Sequence, residues 1–342
     1  MNLLVAFVHL GRNPSPTLNW YAQICSDALT SSDVVLISDY PELHTDFPGK
    51  VISVKDSKIN TGVSRFIKSN KAYQSISGGY WRYTTERLFV LAELVNHFEL
   101  DRPVLHIESD VLINSDEQTL VAAAQKIKKT STVRYSKDSG IASILISPSL
   151  SQLQIDLERL ERVLTSKPST YSDMSLLGAA LNEGILAELP RYPESDWVQV
   201  GSPSTFTIFD GAAIGQYLFG LDPIHTGHRQ ISGYLNPNFE IPLNTCSWHI
   251  RSAYRGSKQQ VMLTYENVRL IPLCIHIHSK ILIQPPDSED PEWQRFISEA
   301  NGSVDRKPGP LQKSDIHSQE LTLTNRLRLR ISRLKRSWGI QI

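Results

Sequence analysis

Apolar residues in the first third of the chain alternate between strand-like and helix-like patterns. Residues 3–10 form an apolar run bounded by Gly11 and two prolines, which is typical of a strand covered on both faces. Shorter runs of the same kind occupy residues 34–38 and 51–54. Residues 82–98 carry apolar side chains at helical spacing, and they therefore predict an amphipathic helix.

The same alternation continues along the chain and predicts an α/β protein. Further strands are predicted at 103–107, 141–146 and 268–283, and further helices at 116–129, 150–164 and 174–181. Strands that alternate with helices imply a mostly parallel sheet flanked by helices, with ligands at the carboxyl ends of the strands. Residues 192–256 are rich in glycine, proline, asparagine and aromatic residues, so we expect a loop-rich functional region there.

The composition is that of a soluble globular protein and narrows the functional classes only slightly. The 342 residues include 35 Lys+Arg and 35 Asp+Glu, so the net charge gives no reason to expect a nucleic-acid partner. Three widely separated cysteines make neither a disulfide framework nor a zinc site, and free thiols suit a reducing cytosol. No segment approaches about 20 consecutive apolar residues, and the first residues resemble a buried strand more than a signal peptide.

Two acidic residues separated by one position follow the strand predicted at 103–107. Glu108 and Asp110 flank Ser109, and their side chains project from the same side of an extended backbone. Two such carboxylates can share a hard divalent cation through oxygen ligands. Acidic triplets are also common as solvated loop ends, so the motif by itself leaves both interpretations open.

A second polar pattern lies near the end of the strand predicted at 268–283. His276, His278 and Lys280 alternate with isoleucines, so both histidines and the lysine share one strand face. Imidazole beside carboxylates favours Mn²⁺ over Ca²⁺, and a nearby lysine suits a diphosphate. An edge strand with a polar outer face would show the same alternation, and the residues alone leave the two interpretations about even.

The order of these segments resembles that of GT-A glycosyltransferases of the glycogenin and bacterial lipopolysaccharide galactosyltransferase type. The resemblance is carried by five segments between residues 80 and 280: Arg87-Leu88 before the metal strand, Glu108-Ser109-Asp110 for Asp-x-Asp, Asp138-Ser139-Gly140 for Asn-x-Gly, the acidic helix start at Ser172-Asp173, and the histidine and lysine of residues 276–280. Glu108 and Asp138 depart from the family's residues, and the spacing from histidine to lysine is shorter. The kinship is therefore one of fold, and it leaves the retention or inversion of anomeric configuration open.

This resemblance implies a hexosyltransferase-type enzyme that moves a sugar from a nucleotide-sugar donor to a glycan or lipid-linked acceptor. Such an enzyme uses Mn²⁺ or Mg²⁺ because the departing nucleoside diphosphate accumulates negative charge. The expected metal ligands are Glu108, Asp110, His276 and His278. The expected donor-binding residues are His9, Gly11, Arg82, Arg87, Glu108, Ser109 and Lys280.

Four further residues are candidates for catalysis and for acceptor binding. Asp173 opens a helix, and an acid there approaches the donor sugar in the resembled enzymes, although a helix N-cap is the simpler role. Asp210 precedes a small-residue helix and could accept a proton from an acceptor hydroxyl, although helix packing explains the small residues equally well. His228 and Arg229 are assigned to the acceptor because loops accommodate acceptor diversity most easily. By chain order, we expect residues 1 to about 115 to form mainly the donor side of the cleft, and residues from about 116 to 284 mainly the acceptor side.

The composition changes sharply at residues 285–291, where we expect the catalytic domain of residues 1–284 to end. In the remaining linker and tail, residues 325–338 carry six basic residues and no acid, with apolar residues on one helical face. A basic amphipathic helix with a terminal tryptophan suits an anionic membrane surface, which would place a cytoplasmic protein at the inner face of a membrane. A solvated helix or a disordered end is an equal alternative.

Two other functional classes remain open from the sequence. A sugar-nucleotide nucleotidyltransferase also pairs carboxylates with a nucleotide-binding sheet, but it normally carries a glycine-rich basic loop after the first strand. Residues 11–14, Gly-Arg-Asn-Pro, are a poor version of that loop. A non-catalytic protein that binds a lipid surface or nucleic acid through its basic tail is the second alternative.

Overall fold

The computed structural model describes residues 2–13, 17–54, 61–70, 80–166, 172–194, 197–198, 204–220, 233–252 and 259–277. The α-helices within these ranges are α1 (Leu18–Ala28), α2 (Thr61–Ser69), α3 (Tyr80–Val90), α4 (Leu94–His97), α5 (Glu117–Lys126), α6 (Leu150–Ser166), α7 (Asp173–Asn182) and α8 (Ala213–Phe219). The strands are β1 (Leu4–His9), β2 (Asp33–Ser38), β3 (Lys50–Ser53), β4 (Val104–Ile107), β5 (Val111–Ile113), β6 (Ser131–Ser136), β7 (Ser139–Ser147), β8 (Ala187–Glu188), β9 (Thr205–Ile208), β10 (Ser247–Ser252), β11 (Gln259–Tyr265), β12 (Val268–Pro272) and β13 (Cys274–His276).

The central element is a seven-stranded sheet in the order β3-β2-β1-β4-β7-β6-β8. Neighbouring strands are parallel except at β7, which runs antiparallel to both β4 and β6. The predicted α/β class, with a mostly parallel sheet flanked by helices, is therefore confirmed. The carboxyl ends of β1, β2 and β4 meet at one edge of this sheet, where an open α/β sheet binds its ligands.

The sheet is buried on both faces, as the apolar run at residues 3–10 predicts. Leu3, Val5 and Phe7 of the first strand region pack with α1 on one face. Leu4 and Ala6 pack on the other face against a cluster to which α3, α6 and α7 contribute. The two clusters follow the two-residue period of a strand, because successive side chains point to opposite faces.

Two smaller sheets pack beside the central one and build the region around β13. One has four strands in the order β10-β11-β12-β9, and the other is an antiparallel pair of β13 with β5. The buried Asn114 side chain joins these sheets: its amide donates to the carbonyls of Val261 and Pro272, and its oxygen accepts from the N–H of Val261. One side chain thus satisfies three backbone groups between strands that are far apart in the sequence.

The helix predicted at residues 82–98 is interrupted. A 3₁₀ turn at Leu91–Glu93 separates α3 from α4. Residues three apart lie on one face in a 3₁₀ turn, so the apolar spacing continues through the interruption and does not reveal it.

The region 192–256 contains more regular structure than its composition predicts, and the last predicted strand is divided. It includes β9, α8 and β10, each with four to seven residues, which is too short for a period to show. The strand predicted at 268–283 bends at residue 273 between β12 and β13, directly after Pro272, which has no N–H to continue the ladder. The domain boundary predicted at residue 284 lies outside the described residues.

Candidate metal centre

The acidic triplet forms a short connection between β4 and β5 at the carboxyl edge of the sheet. The N–H of Glu108 donates to the carbonyl of Ser143 on β7, and the N–H of Val111 donates back to the carbonyl of Glu108. The hydroxyl of Thr17, just before α1, donates to the carbonyl of Ser109 at 2.9 Å. The triplet is thus held by the sheet on one side and by the start of α1 on the other.

The strand β13 brings His276 to this connection. His276 pairs with Val111 across the antiparallel β13–β5 ladder, and the N–H of Ile277 donates to the carbonyl of Asp110 at 2.8 Å. The Nε2 atom of His276 lies 3.4 Å from Oδ1 of Asp110 and 3.7 Å from Oε2 of Glu108. Ligand atoms of all three residues lie within 4.8 Å of one another.

These three side chains fit a divalent cation by their chemistry and their spacing. Two atoms that each lie about 2.1 Å from one ion are at most about 4.2 Å apart, and the distances from the Nε2 atom of His276 to Asp110 and to Glu108 are both shorter than that limit. Two carboxylates and one imidazole are ligands that Mn²⁺ accepts readily. Among the predicted ligands, Glu108, Asp110 and His276 are therefore brought together, and His278 lies outside the described residues.

The electrostatics of the three side chains show that this position attracts positive charge. Burial lowers the pKa of His276, but the charges of Asp110 and Glu108 outweigh burial and raise that pKa to about 9. Burial raises the pKa of Glu108 above its ordinary 4.5, and the nearby Arg87 opposes this rise. A positive charge between the acids, whether a proton on the imidazole or a cation, lowers the cost of holding two carboxylates together.

Arg87, on α3, connects the acidic triplet to α7. Its Nη2 atom forms an ion pair with Glu108 and donates to Oδ2 of Asp173 at 2.8 Å. Asp173 is the first residue of α7, and its side chain is 4% exposed. The N-cap of α7 is Ser172, whose hydroxyl accepts from the N–H of Ser175, so the cap role considered for Asp173 belongs to its neighbour.

Asp210 is enclosed in the protein and does not face a cleft. The residue is fully buried, and its two oxygens accept the N–H groups of Ile214, Gly215 and His276. Burial raises the pKa of Asp210 to about 6 against the lowering effect of these donors. An acceptor hydroxyl cannot reach a carboxylate that is enclosed in this way, so the proposed role of Asp210 as the base for an acceptor is not supported. Its contacts are those of a residue that holds backbone segments together.

Two of the predicted donor-binding residues lie at the carboxyl end of β1. His9 ends that strand, and its ring meets the ring of His44 edge to face at 5.2 Å between centroids. Gly11 has a φ of +105°, and its N–H donates to Oδ1 of Asp39 at 2.8 Å. Asp39 and His44 were not among the predicted site residues, although Asp39 directly follows β2 just as Glu108 directly follows β4.

Arg82 is not part of the arrangement around Arg87. Its Nε atom pairs with Glu86 one turn along α3 at 3.1 Å, and its guanidinium lies 5.3 Å from the centre of the Tyr83 ring. A position five residues before Arg87 points about 140° away on a helix, so the two arginines face different directions.

Several predicted site residues fall outside the described residues. They are His278, Lys280, His228 and Arg229, together with the tail of residues 285–342. Across the part of the chain that is described, no helix has both the length and the apolar character needed to cross a membrane.

A cavity of about 220 Å³ lies away from the metal centre, near the amino ends of β2 and β3. Asp33 and Val34 of β2 and Lys50 of β3 are among its lining residues, with the ring of Phe98. Since Glu108 follows the carboxyl end of β4, this cavity lies toward the opposite edge of the central sheet.

Comparison with solved structures gave distant likenesses. No protein-family model matches the sequence, and a comparison with curated proteins gave no match. The PaToxG glycosyltransferase aligns with a TM-score of 0.38 and 10% identity over 53% of this chain and 68% of its own. Mouse xyloside xylosyltransferase 1 aligns with a TM-score of 0.36 and 11% identity over 55% of this chain and 84% of its own.

The apo form of the glycosyltransferase GlyE of Streptococcus pneumoniae TIGR4 aligns with a TM-score of 0.40 and 11% identity over 91% of this chain and 66% of its own. These neighbours are glycosyltransferases. Because each TM-score is below 0.5, the likenesses do not decide what this chain does, and its function has to be inferred from the site.

Proposed function

We propose that this protein is a glycosyltransferase that moves a sugar from a nucleotide-sugar donor with the help of a divalent cation. The observation that carries the proposal is the convergence of Glu108, Asp110 and His276 at the carboxyl edge of the sheet. That edge is where open α/β sheets bind their ligands, and the predicted donor-binding residues His9 and Gly11 lie at the end of the neighbouring strand β1.

Glu108, Asp110 and His276 would hold the cation, and Mn²⁺ or Mg²⁺ bound there would neutralise the charge that develops on a departing nucleoside diphosphate. Glu108 is suited to this site because its two oxygens have different partners. Arg87 pairs with Oε1, whereas Oε2 faces the Nε2 atom of His276. Arg87 therefore fixes the orientation of Glu108 and leaves its other oxygen facing His276, where it would be available to hold the cation.

Arg87 and Asp173 are suited to the donor side of the same cleft. Arginine side chains are positively charged in proteins, so the guanidinium of Arg87 adds a cation beside the proposed metal ligands. Asp173 accepts a hydrogen bond from Arg87 and lies at the first turn of α7. We assign Asp173 to the donor sugar, and we assign the diphosphate jointly to Arg87 and the cation.

The acceptor and the place of action belong to the proposal as well. We assign the binding of a glycan or lipid-linked acceptor to His228 and Arg229. The basic residues of 325–338 support contact with an anionic membrane surface, where a lipid-linked acceptor would be found. His278 and Lys280 remain proposed as an additional metal ligand and a diphosphate contact.

A donor-hydrolysis screen tests the proposed function. Purified full-length protein is incubated with Mn²⁺ and a panel of nucleotide sugars that covers uridine, guanosine, cytidine and thymidine donors. The release of nucleoside diphosphate or monophosphate is then measured. We expect one donor to be consumed well above the others, and the absence of turnover with every donor, with and without cell-derived acceptors, would contradict the proposal.

A further inference from the structure

Asp210 accepts N–H groups from two different elements of the structure. Oδ1 accepts from Ile214 at 2.8 Å, and Oδ2 accepts from Gly215 at 2.9 Å, both in the first turn of α8. The same Oδ2 accepts from the N–H of His276 at 3.0 Å, although 66 positions separate the two residues. One carboxylate therefore connects α8 directly to the backbone of a metal-ligand candidate.

The helix α8 lies in direct contact with the backbone of His276. A Cβ atom at Gly215 would lie 1.7 Å from the carbonyl oxygen of His276, a distance at which one backbone would have to move. Ala212, before the helix, has a φ of +71°, which is strained for a residue other than glycine. The backbone is therefore strained at the start of α8, where Asp210 and Gly215 contact the backbone of His276.

His276 is held from the opposite side by the metal connection itself. It pairs with Val111 of β5, and the following residue, Ile277, donates to the carbonyl of Asp110. His276 therefore lies between two fixed partners: the β5 strand with Asp110 on one side, and Asp210 with α8 on the other.

We propose that Asp210 is a positioning residue that holds the backbone of His276 so that its imidazole reaches the same cation as Glu108 and Asp110. The inference rests on the proposed metal-dependent function, and it gives Asp210 a role in metal affinity. Residues that orient a metal ligand commonly change metal affinity by about 10- to 100-fold when they are replaced.

The affinity of the full-length protein for Mn²⁺, measured by calorimetry and by the electron paramagnetic resonance signal of free Mn²⁺, tests this inference. Asp210→Ala removes both acceptor oxygens, and we expect it to weaken Mn²⁺ binding by about tenfold or more. Asp210→Asn keeps the shape and one acceptor oxygen, so we expect a smaller loss that still exceeds about twofold.

Asp156→Ala is the matched control. Asp156 is also fully buried and accepts a backbone N–H, that of Thr130, at 2.8 Å. Thr130 contacts Ser147, which pairs with Val104 at the start of β4, so this carboxylate lies at the opposite end of that strand from Glu108. We expect Asp156→Ala to lower the stability and to leave the Mn²⁺ affinity within about twofold of the wild type.

The outcomes separate the inference from the proposed function. If Asp210→Ala and Asp210→Asn bind Mn²⁺ as tightly as the wild type, while Asp110→Asn loses binding, the positioning role of Asp210 is wrong and the metal centre stands. If the wild type binds no Mn²⁺, both the proposed metal centre and the proposed role of Asp210 are wrong. Should Asp210→Ala fail to fold, Asp210→Asn decides, and wild-type affinity in that variant overturns the inference.

Discussion

The guanidinium of Arg87 donates a hydrogen bond of 2.8 Å to Asp173, which lies 86 positions later in the chain. The same Nη2 atom pairs with Glu108, so one cation connects α3, α7 and the acidic connection after β4. The side chains of Arg87, Asp173 and Glu108 are 17%, 4% and 16% exposed, respectively. An ion pair in such surroundings is screened less by water than one at the surface.

Replacing Arg87 with methionine is expected to lower both stability and nucleotide affinity. The change leaves the carboxylates of Asp173 and Glu108 without their cation, which costs about 2–4 kcal/mol of unfolding free energy. Loss of a charged hydrogen bond to a diphosphate costs roughly 1.5–3 kcal/mol of binding. Urea denaturation and calorimetry with the nucleoside diphosphate measure the two effects.

Arg82→Met is the matched control for stability, because Arg82 lies on the same helix and, among the described residues, its ion pair is with Glu86 on the adjacent turn. Its i,i+4 contact with Glu86 is partly exposed, so its loss should cost less than about 1 kcal/mol. Equal losses of unfolding free energy in the two variants would contradict the expectation that the ion pairs of Arg87 stabilise the protein more than the ion pair of Arg82.

The side chain of Asn114 is expected to contribute more to stability than that of any neighbouring exposed residue. Asn114→Ala leaves the N–H and carbonyl of Val261 and the carbonyl of Pro272 without this partner in a buried position. We expect a loss of about 2–4 kcal/mol in urea denaturation. Ser115→Ala, at the adjacent half-buried position, should change stability by less than about 0.5 kcal/mol, and similar losses in both variants would contradict this account.

The pair of His9 and His44 predicts a dependence of stability on pH. Burial lowers the pKa of both rings below the ordinary 6.5, and each ring's Nε2 atom is buried without a hydrogen-bond partner among the described residues. Below pH 6.5, His9 and His44 bind protons in the unfolded chain, but they bind fewer protons in the folded protein because their pKa values are lower there. The free energy of unfolding therefore falls as the pH drops from 6.5 toward the lowered pKa values.

Urea denaturation at pH 7.5 and pH 5.5 tests this dependence. His44→Leu removes one of the two rings that resist protonation, so the variant should lose less stability between these pH values than the wild type does. His97→Leu, which removes a histidine exposed to solvent, is the control and should follow the wild type. An identical pH dependence in the wild type and in His44→Leu would contradict the prediction.

The parts of the fold that depend on local pattern could be predicted from the sequence, and those that depend on long-range contacts could not. The strand β1 shows its burial directly as an apolar run, and Glu108 and Asp110 show their chemistry in three adjacent residues. The pairing of His276 with Val111, in contrast, depends on a fold-back of distant segments that no local period encodes. The burial of Asp210 could not be predicted for the same reason, since its partners in α8 and β13 are set by tertiary packing.

The basic residues of 325–338 predict binding to anionic membranes. The test variant carries glutamine in place of all six basic residues of this segment, namely Arg326, Arg328, Arg330, Arg333, Lys335 and Arg336. Each basic residue near an anionic surface contributes about 1 kcal/mol, so the wild type should sediment with phosphatidylserine vesicles at low salt and the variant should not. Equal sedimentation of the two proteins at low and high salt would remove the membrane assignment.

The most direct test of the metal-dependent mechanism is the rate of donor hydrolysis with and without a cation, in the wild type and in Asp110→Asn. We expect wild-type turnover to stop in excess EDTA and to return when Mn²⁺ is added beyond the chelator. Asp110→Asn should lose roughly 100-fold or more of the rate at saturating Mn²⁺, while its melting temperature without ligand stays near that of the wild type. Full turnover of the wild type in excess EDTA, or an Asp110→Asn variant as active as the wild type, would contradict the proposed mechanism.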